Sequence, residues 1–120
     1  MKREIKFKAK QLNSGKWFEG DLVHLGNRVC IGGDHIKDGI TDIDPSTVCQ
    51  FTGLTDCEGK EVWEGDIVDV RGVKAEVIWN QEAIAFMVLY EYQTEPITYL
   101  AFINRHSNML VLHSKFDKER

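Results

Sequence analysis

The chain of 120 residues has only two prolines, three cysteines, no apolar run longer than the eight residues 83–90, and fewer basic than acidic side chains. Each shortage closes off a class of protein. A membrane-spanning helix needs about 20 consecutive apolar residues, so none is expected. Cys30, Cys49 and Cys57 are an odd number that gives no disulfide framework, and reduced thiols in a cytoplasmic setting are the expectation. No apolar segment with a cleavage pattern opens the sequence, so no targeting peptide is read. With 15 Lys and Arg against 19 Asp and Glu, the net charge of −4 disfavours a non-specific coat on DNA, which needs a concentrated basic face. Ten glycines, few prolines and 42% apolar residues describe a folded domain rather than a disordered chain.

Helical periodicity is also missing, since no stretch of 10 to 12 residues carries it. What is there is alternation. Ile5, Phe7 and Ala9 alternate with Lys6, Lys8 and Lys10, the pattern of a half-buried strand. Further strands are expected over residues 17–23, 27–31, 48–54, 67–70, 73–79, 83–92, 97–103 and 109–112. Val68 and Val70 should face inward and Asp69 outward, with Val73, Ala75, Val77 and Trp79 sharing a face across the Arg71-Gly72 turn. Residues 34–45 are polar and turn-rich, with Ile36, Ile40 and Ile43 as isolated core plugs, and read as the mobile boundary of a small N-terminal lobe. Short strands with turns about every ten residues imply an all-β fold, a small barrel or roll of antiparallel strands.

Two segments echo one another. Gly15-Lys16-Trp17-Phe18-Glu19-Gly20-Asp21-Leu22-Val23 returns as Gly59-Lys60-Glu61-Val62-Trp63-Glu64-Gly65-Asp66-Ile67-Val68, offset by 44 residues at the first Gly and 45 at the Gly-Asp. We read Gly15, Gly20, Gly59 and Gly65 as turn positions that disfavour a side chain, with Asp21 and Asp66 accepting local backbone N–H bonds. An acid–base or divalent-ion site would need Glu19, Asp21, Glu64 and Asp66 to converge.

Other chemistry is thinly represented. His24, His35, His106, His113 and the three cysteines carry metal-ligating atoms but no ligand spacing, and there is no nucleophile elbow or phosphate loop. No catalytic residue, metal site or cofactor is assigned. Trp17, Trp63, Trp79, Phe51, Phe86 and Phe102 read as core plugs. Tyr90, Tyr92 and Tyr99, beside Glu91 and Glu95, fit a protein-contact surface better than a nucleic-acid one, because base stacking calls for interleaved Lys or Arg. Lys2, Lys6, Lys8, Lys10 and Arg71 are the candidate phosphate contacts; strand position alone does not join Arg71, Lys74, Arg105 and His106 into one edge.

The residues Arg3-Glu4-Ile5-Lys6-Phe7-Lys8-Ala9, Trp17-Phe18-Glu19-Gly20, the run from Asp44-Pro45-Ser46-Thr47-Val48-Cys49-Gln50-Phe51 through Thr52-Gly53-Leu54-Thr55-Asp56, and the second Gly-Lys to Glu-Gly-Asp segment together resemble the YopX family of phage and prophage proteins. The resemblance, which covers residues 3 to about 80, implies an SH3-like barrel; with the strand reading, that barrel is expected over residues 45–115, after a β-hairpin lobe with irregular loops over 1–44 and before a frayed 116–120. Many members end in a segment like Gly-Asn-Ile-Tyr-Glu-Asn, where this chain has Asn108-Met109-Leu110-Val111-Leu112-His113. The family carries no established activity to transfer residue by residue. The expectation is therefore a non-enzymatic protein in the cytoplasm of a bacterial host, a homo-oligomer acting through contacts with phage or host proteins and with no membrane partner. A nucleic-acid-binding accessory protein is the alternative, and a metal-assisted enzyme at Asp21 and Asp66 a more distant one.

Overall fold

The computed structural model describes residues 4–117, which form two compact units divided after Phe51. In the first unit the strands are β1 (Phe7–Lys10), β2 (Trp17–Leu25), β3 (Arg28–Gly32), β4 (Ile40–Asp42) and the start of β5 (Cys49–Thr55). They lie in the order β4-β3-β2-β1-β5, each neighbour antiparallel, with Ala9 opposite Phe18 and Leu22 opposite Ile31. Those registers collect the apolar alternates on one face. Ala9, Ile31, Ile36 and Ile43 are buried there, with Phe7, Phe18, Leu22, Val29 and Val48 packed around them.

The turn-rich segment 34–45 is tied down at both ends. Gly33 N–H donates to the Gly39 carbonyl at 3.0 Å, β4 pairs with β3, and a 3-10 turn at Pro45–Thr47 is capped by the Asp44 carboxylate, which accepts from Ser46 N–H. Ile36 and Ile43 do serve as core plugs, and their burial is what holds so polar a stretch to the sheet.

The second unit takes the remainder of β5, then β6 (Glu61–Trp63), β7 (Asp66–Val70), β8 (Val73–Asn80), β9 (Ala85–Tyr90), β10 (Thr98–Tyr99), the helix α1 (Leu100–His106) and β11 (Met109–Ser114). Its main sheet has the order β10-β9-β8-β7-β11, while β6 lies beside β5. Val68 and Val70 are buried as their alternation requires, facing Ala75, Val77, Val88 and Met109 in the core. Trp79, on the same alternate set, is 37% exposed at the far end of β8.

The all-β expectation holds, with one refinement and one correction. The two antiparallel sheets are open and do not close into a barrel. The segment 97–103, expected as a strand, gives two strand residues and then α1. Leu100 and Ile103 are buried three positions apart while Ala101 and Phe102 are exposed, a helical spacing too short for a 10-residue window to register. Phe102 is therefore a surface residue and not a core plug; Trp63 and Phe51 are buried. No helix among the described residues is long and apolar enough to cross a membrane.

Candidate functional site

The two copies of the Gly-Asp motif are built differently. Gly15 closes the β1–β2 turn at φ 70°, donating its N–H to the Gln11 carbonyl at 2.9 Å, and Gly59 at φ 84° donates to Asp56 O at 3.0 Å. Gly65 at φ 86° bonds Val77 O through its N–H and accepts from Lys115 N–H through its carbonyl, both at 2.8 Å. Asp66, 2% exposed, accepts the Trp63 N–H at 2.8 Å across that turn. In the first copy, by contrast, Gly20 and Asp21 stand inside β2 rather than at a turn. Gly20 is required there by close approach, since a Cβ would lie 2.2 Å from the Gly32 carbonyl oxygen. Asp21 is exposed on the strand.

These placements bear on the carboxylate readings. The Asp66 carboxylate is buried and engaged by its own turn, so it presents no open oxygen to a substrate. Among the described residues no three His, Cys, Asp or Glu side chains gather as a set able to hold a metal ion. Buried Cys30 donates to Asp42 Oδ1 at 3.3 Å, and Arg28 Nε donates to the same oxygen at 2.8 Å. The Arg28 hydrogen bond, followed by that of Cys30, holds the Asp42 carboxyl below its ordinary range, while burial and then Asp42 push the Cys30 thiol up. A thiol held protonated in this way is a packing group and a weak nucleophile.

Asp56 is the side chain that sequence reading passed over. Named there only at the end of the Thr52-Gly53-Leu54-Thr55-Asp56 stretch, it is 6% exposed and accepts three backbone N–H bonds, from Glu58 and Lys60 through Oδ1 and from Val111 through Oδ2, all at 2.9 Å. Burial raises its pKa, but the bonds from Val111, Lys60 and Glu58 together outweigh that and hold the carboxyl below its ordinary range. The bond to Val111 spans 55 residues of sequence. Local sequence carries no mark of so distant a donor.

Two surfaces gather the contact residues read from the sequence. On the first unit, Lys8 and Lys10 lie 4.6 and 5.3 Å from the Trp17 ring centroid, and Lys6 lies 4.8 Å from that of Phe51. Lys10 is directly opposite Trp17 in the β1–β2 register, which is why the indole meets lysine side chains. Lys6 also faces Glu4 and Glu19, each at 3.8 Å. Lys2 lies outside the described residues.

The other surface is on the second unit, where a shallow groove of about 490 Å³ is lined by Arg71, Tyr90, Tyr92, Phe102, Ile103 and His106, among others. Tyr90 and Tyr92 stack at 5.5 Å with 10° between their planes, and Phe102 lies 4.6 Å from the His106 ring. Tyr92 is 73% and Phe102 58% exposed. Burial first, then the neighbouring Tyr92, push the Tyr90 hydroxyl above its ordinary pKa, and Arg71 opposes them. At one end the groove runs into a polar recess lined by Arg71, Asn104, Arg105, His106 and Asn108. The structure thus joins Arg71, Arg105 and His106, and sets them against two of the three tyrosines. The third, Tyr99, is exposed on β10, paired with Met87. Sequence reading took Phe102 for a core plug because it expected strand there, and named Arg71, Arg105 and His106 without joining them because they come from a hairpin tip and a helix end.

Compared with known proteins, the chain matches the protein-family model described as YopX protein over residues 6–110. A search of the curated proteins finds no match.

Proposed function

The chain belongs to the YopX family, and from that membership we propose that it is a non-enzymatic binding protein, of phage or prophage origin and cytoplasmic in its bacterial host, that works through protein–protein contacts at the aromatic groove of its second unit. The observation that carries the reading is the exposed aromatic wall of Tyr92 and Phe102 beside Arg71. Tyr and Arg are the side chains that most often dominate protein interfaces, because each offers a large rigid or planar contact at small entropic cost. Self-association is a further part of the proposal and rests on a sheet edge. The two-residue β10 pairs only with Met87 and Val88 of the six-residue β9, which leaves Ala85, Phe86, Leu89 and Tyr90 without a β10 partner.

Crosslinking in a host-cell lysate tests the groove, comparing the wild-type chain with a Tyr92→Ala, Phe102→Ala double variant. A partner protein is expected with the wild type and lost from the variant; equal capture by both overturns the groove as the contact surface. Light scattering at micromolar concentration tests self-association, and a clean monomer sinks it.

A nucleic-acid reading is favoured by one separate observation, the Trp17 indole between Lys8 and Lys10, which supplies the interleaving of aromatic and basic groups that single-strand binding uses. Anisotropy titrations with single-stranded DNA at two salt concentrations decide it. Phosphate contact predicts a steep loss of affinity with salt; no binding at low salt ends this reading.

A further inference from the structure

We infer that the groove on the second unit takes an acidic peptide segment, one in which a bulky apolar side chain stands a few residues from an Asp or Glu; this rests on the protein-contact reading above. Three observations carry it. First, the surface has a polarity gradient: Tyr90, Tyr92, Phe102 and buried Ile103 at one end, and Arg71, Arg105, Asn104 and Asn108 at the other. Second, neither stretch of lining contains a carboxylate, in a chain whose acids outnumber its bases by 19 to 15. A local excess of arginine on an acidic protein is complementary to carboxylates, which a guanidinium can hold through two parallel hydrogen bonds.

The third observation is backbone strain. Arg71 and Gly72 are the two-residue tip of the β7–β8 hairpin, at φ 54° and φ 85°, the geometry of a type I′ turn. The first position of that turn favours Asn, Asp or Gly, because φ above zero crowds an ordinary side chain. Arg71 holds a position that its own conformational preference opposes; it lines both the groove and the recess, and its Nη2 donates to the His106 carbonyl at 3.4 Å. Strain kept at one residue points to a task for that residue.

A peptide is favoured over a nucleic acid by what flanks the groove. Glu91 sits between Tyr90 and Tyr92, and Glu95 follows on the same exposed loop. A polyanion laid along the tyrosines would meet these charges, whereas a peptide can keep its carboxylates at the arginine end and its apolar anchor at the aromatic end.

The test is a fluorescence-anisotropy titration of the full chain with four probes. They are a ten-residue peptide with a central Phe and Leu flanked by Glu and Asp, its Lys-substituted counterpart, a peptide with the acids kept and the Phe and Leu replaced by Ser, and a single-stranded oligodeoxynucleotide. The first probe is expected to bind about tenfold more tightly than the second and third. Arg71→Asn is expected to weaken it about tenfold while the protein melts no lower than wild type, because Asn suits the turn; Arg105→Gln and Phe102→Ala, both at exposed positions, should each weaken it severalfold. Equal binding of the acidic and Lys-substituted peptides overturns the acidic assignment and leaves the protein-contact reading standing. Binding of the oligonucleotide alone, abolished by the same variants, overturns both. If no probe binds, or if Arg71→Asn binds as well as wild type, the inference fails, while lysate crosslinking continues to judge the wider reading on its own.

Discussion

Asp56 shows how much structure one carboxylate can hold in this chain. Its three backbone bonds fix the 56–60 turn and fasten β11 to it, the work of a buried structural acceptor. Hydrogen bonds to a charged acceptor contribute about 1.5–3 kcal/mol each, and water can reach the Glu58 and Lys60 N–H groups, which belong to exposed residues, once the carboxylate is gone. Asp56→Ala is therefore expected to destabilise by about 3 kcal/mol or more in urea unfolding at pH 7. Because folding lowers this pKa, its contribution is fully present above the unfolded carboxyl value of about 4 and is lost as pH falls through the folded value. Stability measured from pH 6 downward should drop less in Asp56→Asn than in wild type. Gly20 is the other informative residue. Gly20→Ala drives a methyl into the Gly32 carbonyl and is expected to cost about 2–3 kcal/mol. Gly26→Ala, where nothing lies within 4 Å of the new Cβ, should cost about 1 kcal/mol, owed to its φ of 58° alone.

Among the elements, the β7–β8 hairpin, the end of β9 and α1 together make the groove, and the hairpin and the helix each separate stability from surface. Replacing Arg71 by Asn relieves a positive φ in a two-residue turn and should raise stability by about 0.5–1 kcal/mol in thermal or chemical melts. An unchanged or lowered stability would show that Arg71 is not strained at that tip. In α1, Ile103→Ala should cost about 2–4 kcal/mol because the side chain is 6% exposed in the core, while Phe102→Ala should stay within about 0.5 kcal/mol of wild type. The β7–β8 pair was legible because its alternation is strict and its turn holds a glycine. The helix was not, since seven residues with two buried positions carry less periodic signal than the β-prone composition around them.

For the whole molecule, each unit carries its own small core, and the three thiols are distributed unevenly: Cys30 and Cys49 are buried, Cys57 exposed. A thiol-reactive dye should label one cysteine quickly in the native protein and all three after unfolding in denaturant; two fast labels would contradict the burial described. Taken alone, the sequence determined what depends on local chemistry and period: an all-β chain, the strand faces around Val68, Val70, Ala75 and Val77, the glycine-bearing turns at Gly15 and Gly59, and the family. Apolar alternation and turn residues act over a few positions, so they can be read in order along the chain. Only the tertiary structure decided that the two Gly-Asp copies are not equivalent, that the sheets stay open, that Asp56 reaches Val111, and that Arg71 meets Tyr92 and Phe102 in the groove and Arg105 in the recess beside it. Those facts depend on which distant backbone group or side chain arrives at a given point, and that is set by strand register and packing of the whole chain, not by any spacing within it.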